Sequence, residues 1–298
     1  AAGQGDTVAL YNSDSSSAIW TYDTDEGTIV SIDITPNGSK IIVGTDDGLL
    51  LEFNRNSSTP SVEVFPIGTW ASHIKSVSIS DNGAYFVASV TREGVNNPDL
   101  IERLYLYESG DEDYLDYVDT NQIMHSVAMD STGHYFVSCG SSGNTLLYSK
   151  DSNGDIEQEW SNGTNCGSTS NGKNKHIAIS SNGDYIAATG SSNGEVRFFS
   201  RHSNVALWTA DLPGSGSAES LAMSANGLHL AVGSSASVYY FQTKIPEWSY
   251  DTGDNVNAVA VSADGEYIAV GDAGDTLSLF HKDSNDSLWD YNLNDIPL

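Results

Sequence analysis

Positive charge is scarce in this chain. Twelve lysines and arginines stand against 40 aspartates and glutamates, a formal net charge of −28. That balance argues against a nucleic-acid partner, because phosphate contacts need Lys and Arg. It also disfavours anionic membrane surfaces and favours a strongly solvated exterior. Long apolar runs are missing as well. Stretches such as IIVG and YIAV last only a few residues, whereas a spanning helix needs about 20, so no membrane insertion is expected within this chain. Helical periodicity is absent beyond a turn or two. The chain starts at Ala1 without an initiating Met or an apolar leader, and such small residues suit the mature side of a cleaved signal or an excised domain.

Catalytic patterns are lacking too. No G-x-S-x-G precedes a helix, no H-x-x-E-H occurs, and no pair of carboxylates is singled out for glycoside chemistry. The seven histidines (His73, His125, His134, His176, His202, His229 and His281) are scattered. His73, His125 and His176 fall at or near the first strand of their units, in rim or packing positions. No catalytic residue, cofactor or metal is assigned, and the chain is expected not to be an enzyme.

What is present is a repeat. Six stretches share one grammar: IVSIDITPNGSKIIVG, IKSVSISDNGAYFVAS, MHSVAMDSTGHYFVSC, NKHIAISSNGDYIAAT, AESLAMSANGLHLAVG and VNAVAVSADGEYIAVG. Each is an alternating apolar strand, a tight turn ending in Gly, and a second strand. The turn glycines are Gly38, Gly83, Gly133, Gly183, Gly227 and Gly265, spaced 38–50 residues apart. Asn-Gly or Asp-Gly between apolar runs is a hairpin signal, since Gly tolerates positive φ. A second hairpin follows each, as in EVRFFS/NVALW and TLSLFH/SLWDY. Each unit therefore holds four strands, here a, b, c and d.

Four antiparallel strands every 38–50 residues is the pattern of a β-propeller blade. Trp20, Trp160, Trp208, Trp248 and Trp289 recur in strand d, and Tyr85, Tyr135, Tyr185 and Tyr267 in strand b. These are expected to pack blade on blade. Trp70, in a d-to-a connection, is the Trp free to be exposed.

The SADGEYIAVG hairpin resembles the S-x-D-G turn of WD40-like repeats, and LFHKDSNDSLWDY resembles the strand–turn–Trp unit of PQQ-like repeats. The resemblance implies a propeller of the archaeal or bacterial cell-surface type. The Gly-His and Trp-Asp pair of strict WD40 blades is absent, as are recognisable quinone ligands.

The stretch GDTVALYNSDSSSAIWTY near the start matches GDTLSLFHKDSNDSLWDY near the end. The first copy lacks the a–b hairpin before it. The expected fold is thus all-β, a seven-bladed β-propeller with six complete four-stranded blades and a partial one from the N-terminal strands. The partial blade spans 1–28, and the full blades 29–73, 74–123, 124–173, 174–217, 218–255 and 256–298. Two accounts stay open: the chain is a window onto a longer protein, or the C-terminus or a neighbouring subunit completes the partial blade. An unpaired strand edge invites such β-augmentation, and a head-to-tail donation that does not close builds a fibre. On that account Ala1, Ala2, Gly3, Asp6, Val8 and Leu10, with Asp295, Ile296, Pro297 and Leu298, are candidate subunit contacts.

Cys139 ends a strand b and Cys166 lies in the following d-to-a connection, so a disulfide in an oxidising compartment is expected. Asn37, Asn56, Asn162 and Asn285 head N-x-S/T sequons in turns or loops and are candidate glycosylation sites. Asp151, Asn153 and Asp155 echo the start of a calcium loop without its closing Glu, which leaves them poor metal candidates. The acidic tip Glu108–Asp113 is expected to be solvated. The leading functional expectation is an extracellular or cell-surface interaction module, with self-association or other surface proteins as partners and a filament or array as its specific form. A ligand- or peptide-binding domain of a larger surface protein, and an enzyme with a site at the central channel, are the alternatives, since the fold does not choose among them.

Overall fold

The computed structural model describes residues 2–12, 15, 17–25, 27–65, 72–92, 101–141, 143–166, 176–190, 194–213, 217–242 and 245–293. It forms seven antiparallel sheets in chain order. The first has three strands, β1 (Ala2–Gln4), β2 (Thr7–Tyr11) and β3 (Ala18–Asp23). The second holds β4 (Ile29–Ile34), β5 (Lys40–Thr45), β6 (Leu50–Asn54) and β7 (Val62–Val64). The third holds β8 (Ser72–Ile79), β9 (Tyr85–Arg92), β10 (Ile101–Glu108) and β11 (Tyr114–Asp119). The fourth holds β12 (Met124–Met129), β13 (Tyr135–Gly140), β14 (Gly143–Lys150) and β15 (Ile156–Cys166). The fifth holds β16 (Ile177–Ile179), β17 (Tyr185–Thr189), β18 (Glu195–Ser200) and β19 (Trp208–Asp211). The sixth holds β20 (Ala218–Met223), β21 (Leu230–Ser234), β22 (Ser237–Phe241) and β23 (Pro246–Asp251). The last holds β24 (Val256–Val261), β25 (Tyr267–Asp272), β26 (Thr276–His281) and β27 (Ser287–Asn292). The boundary drawn between residues 73 and 74 falls inside β8.

In the first sheet β1 is an edge among the described residues, pairing only with β2. Its counterparts β5 and β9 are paired on both sides. The same irregularity recurs where strand c meets strand d: the register shifts at Leu10/Tyr11, Leu106/Tyr107, Tyr240/Phe241 and Leu279/Phe280. Such a bulge turns the strand locally and re-aims the side chain that follows. Here that side chain is always aromatic.

The chain divides into two compact units: Ala1–Ser138 with Tyr148–Glu159, and Cys139–Leu147 with Trp160–Leu298. In the first unit Val8 and Leu10 pack with Ile41, Val43 and Phe53, and Ile42 and Leu50 with Ile74, Val77 and Phe86. In the second, Phe198 and Leu221 share one cluster, and Tyr240, Val256, Ile268 and Phe280 share another. Each cluster joins consecutive sheets, because the alternating side chains of a strand give each sheet an apolar layer on both faces.

The turn glycines carry two demands. Gly133 has φ +76° and Gly227 φ +75°. A Cβ on Gly133 would lie 2.7 Å from the Tyr85 ring of the preceding sheet, and one on Gly227 2.8 Å from Tyr185. His229 sits in the same way beneath Gly265. The strand-b aromatics therefore reach under the following turn, as expected for packing between sheets.

Candidate interaction surface

The recurring strand-d tryptophan makes a specific joint. Trp20 Nε1 donates to the carbonyl of Arg55 at 2.8 Å, Trp160 Nε1 to Arg201 at 2.7 Å, and Trp248 Nε1 to Lys282 at 2.7 Å. Each acceptor is the first residue after the next sheet's strand β6, β18 or β26. Asparagine returns a bond at two of these joints: Asn204 Nδ2 to Ser161 O at 3.1 Å and Asn285 Nδ2 to Ser249 O at 3.2 Å. An indole needs one partner for its N–H when its ring is packed, and a backbone carbonyl supplies it whatever the residue. The acceptor position for Trp208 is Thr243, outside the described residues.

Two joints lack the tryptophan and use a carboxylate. Glu52, 1% exposed, accepts from Ser109 Oγ at 2.7 Å and the Gly110 amide at 2.9 Å, while Lys40 Nζ lies 3.3 Å from its other oxygen. Asp116 accepts from the Ile156 amide at 2.8 Å, and Lys150 lies over the Tyr85 ring at 4.4 Å. A buried carboxylate is retained only when donors compensate its lost hydration, and Glu52 also accepts from Ser61 Oγ at 3.0 Å.

The last sheet departs from the rest. Trp289 is 45% exposed and no hydrogen bond reaches its indole among the described residues; Tyr267, the strand-b aromatic, is also 45% exposed. Ala258 and Ala260 on β24 and Tyr291 on β27 are exposed beside them. The equivalent inner-strand residues of β4 are half-buried and bonded: Ser31 Oγ and Asp33 Oδ2 accept from the Val77 and Ile79 amides at 3.0 Å. Sequence reasoning placed Trp289 and Tyr267 with the packed aromatics. The motif marks the position, and it says nothing about whether a neighbour covers it.

Other sequence expectations separate. Val8 and Leu10, candidates for a subunit contact, are buried against β5 and β6 of their own chain, because strand alternation turns them inward. Gly3 packs on Ile29, and Asp6 accepts from Thr24 through its carbonyl at 2.9 Å. Ala2 lies in β1, whereas Ala1 and Asp295, Ile296, Pro297 and Leu298 lie outside the described residues, as does Trp70.

Cys139 is 1% exposed and disulfide-bonded. The other cysteine of the sequence, Cys166, closes β15 rather than lying in a connection, since that strand runs on for 11 residues. Among the sequon asparagines, Asn37 and Asn56 are exposed. Asn162 is half-buried, donating to Asn204 O at 2.6 Å and accepting from Arg197, and Asn285 is part of a joint.

Asp151 turns its carboxylate onto its own hairpin, accepting from the Asn153 amide at 2.7 Å and the Asp155 amide at 2.9 Å. The bond from the Asp155 backbone, then those from Asn153, hold its pKa below the usual carboxylate value. Among the described residues no group of three or more His, Cys, Asp and Glu side chains is placed to hold a metal ion. His73 Nδ1 contacts Asp46 O, and His176 is buried with Nδ1 3.3 Å from Thr189 Oγ1. His125 is buried on β12 with no partner for Nδ1 among the described residues; burial, then Lys75, lowers its pKa. Burial pushes the Tyr148 hydroxyl up to about 12.

Residues 246–281 match a family model described as WD40: WD domain, G-beta repeat. They span β23 through β26. No curated protein matches the chain in sequence. Among solved structures the chain is similar to the β-propeller domain of Cps50 (Swd1) from Myceliophteria thermophila, at 15% identity over 90% of this chain and 87% of that one, with a TM-score of 0.68. At that identity the likeness carries the fold and no more. Seven sheets of one design and a shared propeller fold make this chain a seven-bladed β-propeller, with a match to a WD40 repeat across its last two sheets.

Proposed function

We propose that this propeller is a non-enzymatic protein-interaction scaffold of the extracellular or cell-surface type, which self-assembles by strand complementation at its three-stranded sheet. One observation carries the reading. Among the described residues β1 is an edge in the place where the other sheets have a strand paired on both sides. An open edge offers a row of amides and carbonyls to a strand from elsewhere. The perturbed groups, Tyr148 among them, serve packing rather than a shared pocket. The bonded Cys139 supports an oxidising location, with Cys139–Cys166 as the pair and Asn37 and Asn56 as the accessible glycan sites.

Negative-stain microscopy over a concentration series tests the reading. Filaments or arrays are expected. Single particles at every concentration would refute it. Intact mass before and after reduction, expected to differ by two hydrogens, tests the disulfide, and a mass above that of the bare sequence in native material tests the glycans.

A further inference from the structure

The sequence carries eight Asn-Gly steps, of which those at Asn171 and Asn193 lie outside the described residues. An Asn before Gly is open to attack on its side-chain amide by the Gly main-chain nitrogen, because Gly has no Cβ to restrict the approach. Four of these steps are a–b turns that share one lock. Oδ1 of Asn37, Asn82, Asn182 and Asn226 accepts from the hydroxyl two residues earlier, on Thr35, Ser80, Ser180 and Ser224, at 2.7–2.9 Å. The same oxygens accept from the amides of Ser39, Ala84, Asp184 and Leu228 at 2.8–3.1 Å. The Gly38, Gly83, Gly183 and Gly227 amides donate to main-chain carbonyls at 2.7–2.9 Å. Asn162, on β15, is held otherwise: Nδ2 donates to Asn204 O at 2.6 Å and Oδ1 accepts from Arg197 at 3.1 Å. Asn153, exposed in the β14–β15 turn, lacks such a lock. Its Nδ2 donates to Asp151 Oδ2 at 3.1 Å, and no donor reaches its Oδ1 among the described residues. The Gly154 amide lies 3.3 Å from Asp151 O, past the usual range of an N–H···O bond.

We propose that Asn153 is a self-modification site, where the folded chain converts asparagine to aspartate and isoaspartate ahead of its a–b turns. The Gly154 nitrogen gives its proton to a base in the solvent and bonds to Asn153 Cγ. The Cγ–Nδ2 bond breaks, and the nitrogen takes up a proton and leaves as ammonia. Water then opens the five-membered imide at either of its carbonyls. One water is consumed, one ammonia is released, and nothing is oxidised or reduced. The ring closes only when Cγ swings towards the amide nitrogen. In the a–b turns that motion breaks two bonds to Oδ1 and a well-formed one at Gly. At Asn153 it breaks one bond of the leaving nitrogen and a long one at Gly154. Either product sets a carboxylate beside Asp151, where Nδ2 donated before, and isoaspartate adds a methylene to the main chain of the turn. The same hairpin carries Lys150 over the Tyr85 ring and the Ile156 amide on Asp116, so the conversion loosens that joint.

Peptide mapping by mass spectrometry, during incubation of the folded chain at mildly alkaline pH, tests it. Asn153 is expected to show the mass change from amide to acid at least about tenfold faster than Asn37, Asn82, Asn182 or Asn226, the factor set by the extra hydrogen bonds those turns must break. In concentrated urea the five should convert at similar rates. An a–b turn that converts as fast as Asn153 in the folded chain overturns the proposal, and so does a lead for Asn153 that persists undiminished in urea. Ser80→Ala removes one donor from the Asn82 lock and should speed conversion at Asn82 alone; an unchanged rate there overturns the protective role of the lock. The modified fraction, separated by anion exchange on its added charge, should unfold at a lower urea midpoint than the unmodified chain. Equal midpoints overturn the loosening of the joint.

Discussion

Trp160 and Arg201 are joined by a 2.7 Å hydrogen bond from indole to main-chain carbonyl, and the Trp160 ring lies 5.5 Å from Phe199 beside it. One side chain thus contributes apolar area and satisfies its polar atom across the gap between two sheets. Trp160→Phe should cost about 1 kcal/mol for the lost bond, and Trp160→Ala about 3–5 kcal/mol with the packing. Urea unfolding measures both. Trp289→Phe, on the uncovered sheet, should change the stability of the monomer by less than about 0.5 kcal/mol.

Glu52 should behave differently from the surface acids. Its carboxylate receives Ser61, Ser109 and Gly110 and pairs with Lys40. Glu52→Ala leaves those donors without an acceptor, and a loss of about 3 kcal/mol is expected. Glu52→Gln keeps the shape and should lose less. A midpoint for Glu52→Ala equal to wild type in guanidinium would contradict the account.

Gly133 and Gly110 separate backbone strain from crowding. Both have positive φ, +76° and +89°. A Cβ at Gly133 would strike Tyr85, whereas one at Gly110 meets nothing within 4 Å. Gly110→Ala should cost about 1–2 kcal/mol for the left-handed backbone alone. Gly133→Ala should add about 1–3 kcal/mol of overpacking. Thermal unfolding of the two variants, and of Gly133→Ala combined with Tyr85→Ala, reads the difference.

His125 predicts an acid sensitivity. Its folded pKa lies below the ordinary 6.5, so the unfolded chain binds its proton first as pH falls. Its neutral form contributes full stability above the unfolded pKa. That contribution shrinks as pH drops below about 6.5 and levels off once the folded pKa is passed. His125→Gln should flatten the stability profile over this window while leaving the carboxylate-driven loss at lower pH. Denaturant midpoints from pH 7.5 to pH 4.5 measure it.

Much of the fold was legible because its determinants are local. The Asn-Gly and Asp-Gly turns require positive φ, and Ser80 and Asn82 wire one of them through bonds of 2.8–3.0 Å within six residues. The tryptophans were placed by spacing alone. Less legible was which sheet covers which face. Alternation shows that Val8 and Leu10 share a face, and it cannot show that β5 and β6 lie against it. Nor does an acid in strand c announce burial: Glu52 replaces a tryptophan joint with partners 57 and 58 positions away. Asn162 and Asn285 read as sequons because the motif is short, yet their amides bridge sheets.

The joints also shape how the molecule comes apart. Each ties a sheet only to its successor, so breaking one leaves the others standing, as in other modular arrays. The last sheet, where Trp289 is 45% exposed, is where amide exchange should begin and where thermal fraying should start. Openings would then spread inward one module at a time, and the order in which amides exchange would map the sequence of couplings along the chain.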